Sequence, residues 1–90
     1  MTKQISFTAA FKRDYKRVSK RGKDINKLKS IVSILCEDLP LPVSARDHAL
    51  TGNWAGFREL HIEPDWLLIY TNDIDGVIVY RTGTHSDLFG

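Results

Sequence analysis

Cys36 is the only cysteine in 90 residues, so no internal disulfide forms, and no Cys/His spacing surrounds it to build a structural zinc site. No apolar run approaches the roughly 18–20 residues that a membrane-spanning helix needs. The opening stretch, MTKQISFTAAFKRDYK, lacks an apolar block ahead of a small-residue cleavage site, so no secretory leader is expected and the chain reads as cytoplasmic. Internal repeats, low-complexity tracts and linkers are missing as well. What remains is one domain over residues 1–90, held together by a single modest core.

Net charge is also scarce, at +2, but it conceals an asymmetry. Residues 1–30 carry ten Lys and Arg against Asp14 and Asp24, a surplus of +8. Residues 31–90 carry Arg46, Arg58 and Arg81 against nine acids, a deficit of −6. A chain divided in this way presents one basic segment, which suits a polyanion or an acidic partner, or else serves as a solvated helix face.

The pattern predicts β-α-α-β-β-β. KQISF (3–7) alternates as a short strand, Thr8 stands where a helix N-cap belongs, and Phe11, Tyr15 and Val18 form an apolar stripe of a helix ending near Gly22. On its other faces Lys12, Lys16 and Lys20 make one i, i+4 row, and Arg13, Arg17 and Arg21 make a second. Like charges at this spacing repel by a few tenths of a kcal/mol per pair, a cost accepted to display two basic ridges. Asp24 caps a second helix with Ile25, Leu28, Ile31, Val32 and Leu35 inward, and Cys36 reads as a small core residue. Pro40 and Pro42 stop it. Residues 40–54 read as a long loop with one helical turn. Strands follow at 56–62, 66–70 and 77–81, separated by the turn formers Glu63-Pro64-Asp65 and NDIDG. The fold class is α+β, with two antiparallel helices covering one face of an antiparallel sheet and leaving the other face for a site.

All three His lie in the second half: His48 in the loop, His61 at the end of the first meander strand, and His85 in the tail. Asp65 opens the next strand, so the hairpin brings it near His61, while Arg81 leaves the last strand toward His85. Two His, an Asp and an Arg in one place would suit RNA cleavage. A base takes the 2′-hydroxyl proton, an acid protonates the leaving 5′-oxygen, and a cation holds the charge building on phosphorus oxygens. Each residue also has an ordinary reading as a loop, turn or surface ion-pair residue, and Trp54 and Trp66 as core or rim. A metal site from His48, His61 and Asp65 lacks any HExxH-type spacing.

The segments DHALTGNWAGFRELHIEPDWLLIY and RTGTHSDLFG carry D-H-x-L-x-G-x-W, H-x-x-P-D-W and R-x-G-T-H in order. In these, and over essentially the whole chain, the sequence resembles the YafQ branch of the RelE/ParE superfamily, toxins of bacterial type II toxin–antitoxin pairs. The resemblance implies a RelE-like fold and a ribosome-dependent mRNA endonuclease that uses no metal or other cofactor. It implies that His48, His61, Asp65 and His85 form the proton-transfer cluster, with His85 the general acid. It also implies that Arg81 stabilises the transition state and that Trp66 and Phe89 orient RNA. The ridges of Lys12, Arg13, Lys16, Arg17 and Lys20 would bind rRNA. The implied partner is a cognate antitoxin of ribbon-helix-helix type in a hetero-oligomer, with no membrane role. Two alternatives stay open: a ParE-like gyrase inhibitor on the same fold, and a non-catalytic RNA-binding module.

Overall fold

Thr8 and Asp24 start the helices as their side chains predict. In the computed structural model, which describes residues 2–90, Thr8 Oγ1 accepts the Phe11 N–H and Asp24 accepts that of Asn26, each answering an orphan first-turn donor. Strand β1 (Ile5–Phe7) leads into α1 (Ala9–Lys20) and α2 (Ile25–Cys36). The long loop then holds two single turns of 3₁₀-helix, Val43–Ala45 and Gly52–Trp54, and between them the two-residue strand β2 (His48–Ala49). The meander is β3 (Arg58–Glu63), β4 (Trp66–Asp73) and β5 (Gly76–Gly83), and a one-turn helix, α3 (His85–Phe89), closes the chain.

The sheet runs β1-β5-β4-β3-β2. The meander is antiparallel as expected, but β1 runs parallel to β5, Ile5 to Val77 and Phe7 to Val79, so the sheet is mixed. Hairpin logic does not reach a strand separated from its neighbour by both helices and the whole meander. Phe11, Val18, Leu28, Ile31 and Leu35 of the helices pack on Leu60, Leu68, Tyr70, Val77 and Val79 of one sheet face.

The opposite face is not left bare. Leu67, Ile69 and Leu88 form a second core with Leu50, Trp54, Phe57 and Tyr80, so β4 is covered on both sides from Trp66 to Tyr70. The tail after β5 is helix α3, whose Thr84 and Asp87 make a reciprocal capping box and whose Leu88 is buried. Among the described residues, no helix is long and apolar enough to cross a membrane.

Candidate active site

Register alone places four polar groups on the second-core face. His48 pairs with Glu59, Glu59 with Ile69, and Ile69 with Arg81, one rung across four strands; His61 lies on the adjacent rung, opposite Leu67. Directly opposed residues share a face, so His48, Glu59, His61 and Arg81 all look the same way. Arg81 gets there through a bulge. Val77 and Val79 point to the helices, and simple alternation would send residue 81 after them. The register shift between Ile69 and Tyr70 leaves Tyr80 as the extra residue and turns Arg81 to the other side.

Three imidazoles stand in a row, His48 to His61 at 6.4 Å and His61 to His85 at 5.8 Å between ring centroids, with Phe89 6.5 Å beyond His85. Backbone carbonyls, which only accept, fix two of the rings. His48 Nδ1–H donates to Arg46 O at 2.7 Å, and His61 Nδ1–H donates to Pro64 O at 3.1 Å. Both Nε2 atoms then face one oxygen, Glu59 Oε1, at 3.5 and 3.6 Å. These are ion-pair distances once either ring carries its second proton, and Glu59 itself is buried.

Asp65 serves His85 rather than His61. Its Oδ1 accepts the His85 backbone N–H at 2.9 Å and the ring Nδ1–H at 2.6 Å. The backbone bond, then the ring bond, hold the Asp65 carboxyl below its usual range, so it stays ionised beside the half-exposed His85 ring.

The tail that carries His85 is tied to the first helix. Asp87 takes a two-pronged bond from Arg21, at 2.6 and 3.1 Å, and the Thr84 N–H at 3.0 Å. These bonds hold its carboxyl far below the ordinary value, so this tie persists as pH falls through the normal carboxylate range. Gly83 of R-x-G-T-H is required here, because a Cβ would lie 2.8 Å from Asp87 Oδ2.

Arg81 does not reach out freely. Its Nε and Nη2 bond Asp14 at 2.5 and 3.1 Å, and Asp14, which is buried, also accepts the Thr82 N–H. The pair raises the Arg81 pKa and, among the described residues, leaves the guanidinium's remaining N–H groups without a protein acceptor.

Trp66, expected to orient RNA, is 1% exposed and has no face for a base. Its Nε1–H donates to Thr82 Oγ1 at 3.0 Å, which in turn donates to Leu67 O at 2.7 Å, joining β4 to β5 beneath the site. Large aromatic rings in central strands are drawn into the core by the area they bury. Trp66→Phe is therefore expected to lower stability by about 1–3 kcal/mol in urea unfolding and to leave RNA affinity unchanged. Phe89, 44% exposed beside His85 and edge-on to Trp54 at 6.1 Å, does offer a ring surface.

The basic rows divide. Lys12, Arg13, Lys16, Arg17 and Lys20 are all exposed, but Arg17 lies 3.4 Å from Asp14 and 3.9 Å from Asp87, so part of the Arg row braces the site. Sequence reasoning missed Glu59, Asp14 and Asp87. Two left a signal: Asp14 falls on the buried stripe at i+3 from Phe11, and Glu59 alternates onto the face of His61. Among the described residues, no three His, Cys, Asp or Glu side chains are arranged to hold a metal ion.

Fold and site together define a small α+β domain with acid–base groups and a cation on one sheet face, the requirements of a ribonuclease working through the 2′-hydroxyl. Residues 3–90 match the family described as bacterial toxin of type II toxin-antitoxin system, YafQ. The chain is 44% identical over 89 residues to the mRNA interferase toxin YafQ of Escherichia coli K12, covering 98% of this chain and 97% of that one. The E. coli DinJ–YafQ toxin–antitoxin complex contains a chain that superposes with a TM-score of 0.92 at 43% identity, with full coverage of both. A metal-bound toxin from Helicobacter pylori superposes at 0.89 and 35% identity, over 99% of this chain and 100% of that one. The chain belongs to the YafQ family of toxins and has the RelE-like fold.

Proposed function

We propose that this chain cuts messenger RNA on the ribosome, by acid–base catalysis through the RNA 2′-hydroxyl. That it is an mRNA interferase toxin, an endoribonuclease, rests on its family and on the E. coli relative of that name. The observation that carries the chemical reading is the His85–Asp65 pair beside the His48–Glu59–His61 group. An imidazolium at His85, stabilised by an ionised Asp65, donates to the leaving 5′-oxygen. His48 or His61, in its neutral form, takes the 2′-hydroxyl proton at Nε2, and the imidazolium so formed pairs with Glu59. The free N–H groups of Arg81 meet the charge growing on the phosphate, and Phe89 stacks on a base.

A chain this small cannot enclose RNA, so the ribosome supplies the orientation that proximity effects require. Lys12, Arg13, Lys16, Arg17 and Lys20 dock it on rRNA phosphates in a salt-sensitive manner. The cytoplasm is the setting, and the partner is a cognate antitoxin of ribbon-helix-helix type in a hetero-oligomer. The DinJ complex of the E. coli relative supports an antitoxin partner. No step of this reading runs through a metal or cofactor.

Primer extension on a transcript after induction of the chain tests this. Cuts within translated message, absent from an untranslated copy, are expected, and treating the purified protein with EDTA, then removing the chelator before adding it to programmed ribosomes in Mg²⁺ buffer, is expected to leave cleavage unchanged. Growth arrest with intact message would favour the gyrase-type inhibitor, and loss of cleavage on chelation would assign the histidines to a metal.

A further inference from the structure

The D of D-H-x-L-x-G-x-W has no part in the chemistry above, yet Asp47 holds the densest polar contact of the loop. Its Oδ2 takes Arg58 Nη2–H at 2.8 Å and its Oδ1 takes Arg58 Nε–H at 3.3 Å, while Tyr70 Oη–H donates to the same Oδ1. Tyr70 is 1% exposed, and burial, followed by the Asp47 contact, pushes its pKa up, so the hydroxyl remains a donor. Arg58 pairs with Ala49 on one side and Tyr70 on the other, which puts this cluster on the helix-facing side of the sheet. His48, one residue on from Asp47, faces the opposite side with Glu59.

Immediately before Asp47 stands Arg46, at φ 49° and ψ 44°, a left-handed conformation uncommon for a residue with a Cβ. It is this conformation that accompanies the Arg46 carbonyl accepting from His48 Nδ1. Such a conformation persists only where its neighbours impose it. Ala45 is buried on one side of it and Asp47 is clamped on the other. Strand β2, with two residues, is too short to supply the constraint itself.

We propose that Asp47, held by Tyr70 and Arg58 on the back of the sheet, is the positioning residue for His48: it fixes the loop so that Arg46 O holds Nδ1 and Nε2 points at Glu59. Asp47 does not touch the reacting atoms. The proposal rests on the assignment of His48 to the cleavage site, and the two are tested apart. Long-range ¹H–¹⁵N spectra of the imidazoles, at a pH where the rings are neutral, read the tautomer directly. The parent protein shows His48 as the Nδ1–H form. Asp47→Asn and Tyr70→Phe convert it to a mixture while leaving the His85 signals in place. Both variants lose about ten-fold in cleavage on programmed ribosomes. In a His48→Ala background, Asp47→Asn costs less than about two-fold further, because its effect passes through the missing ring.

A full ten-fold loss in that background, or an unchanged His48 tautomer, would overturn the positioning role. Cleavage by His48→Ala at the parent rate would instead overturn the site assignment, and with it the catalytic consequence drawn here. Should Asp47→Asn fail to fold, Tyr70→Phe deletes a single oxygen and carries the same comparison.

Discussion

His85→Ala is expected to lower cleavage of translated message by about 10²–10⁴-fold, the usual worth of a positioned general acid, while the fold stays intact. The ring is half exposed, with a side-chain accessibility of 54%, and supports no core residue. Its loss leaves the backbone N–H of residue 85 on Asp65 and the capping box of α3 untouched. Stability should therefore change by no more than about 0.5 kcal/mol, as for other surface substitutions. Asp65→Asn makes the informative comparison. An amide can still accept the two N–H groups, but its charge is gone, so the cleavage loss should be smaller than that of His85→Ala. Rates on programmed ribosomes across pH, with thermal melts of each variant, check both. A His85→Ala protein that stays toxic would return the non-catalytic RNA-binding reading.

Arg81→Ala is expected to damage stability and chemistry together. Asp14 would remain buried with the Thr82 N–H at 3.2 Å and Arg17 at 3.4 Å, having lost its strongest partner. Stranding one member of a buried pair costs about 3–5 kcal/mol. The lower end applies because the Arg81 side chain is 27% exposed and the two other contacts survive. For a domain of this size, that cost lowers the melting temperature by roughly 10 °C or more. Cleavage should fall about 10²–10³-fold, the range for removing a group that stabilises transition-state charge. The two effects separate in the double variant Asp14→Asn/Arg81→Gln, in which a neutral pair replaces the ionic one and the amide oxygen at position 14 still accepts the Thr82 N–H. Its melting temperature is expected to return to near that of the parent, while cleavage stays lost. A double variant that cuts RNA would confine Arg81 to a structural role.

Much of this protein is legible without coordinates because the signals involved are local. Thr8 and Asp24 announce helix starts through the hydrogen bond a short side chain can return to its own backbone. The apolar stripes and the two turn-forming segments follow from periods of 3.6 and 2. The histidines, Asp65, Arg81 and Phe89 were marked by residue type and motif. Trp66 was marked too, and in the structure it is an internal strut, since a motif records which residues belong together but not which of them water can reach.

By itself, then, the sequence determined the helices, the meander, the basic segment and most of the polar groups of the site, all consequences of chemistry within a few residues. Only the tertiary structure decided what those groups face. The bulge at Tyr80 turns Arg81 off the helix side, and one oxygen of Glu59 comes to lie between two rings. Asp14 crosses from α1 to hold Arg81 67 positions away, and Asp87 binds the tail to Arg21. A single extra residue in a strand reverses the face of every side chain after it, and a buried charge takes whichever partner the packing brings. Neither outcome has a local signal, because both belong to contacts between segments far apart in the chain.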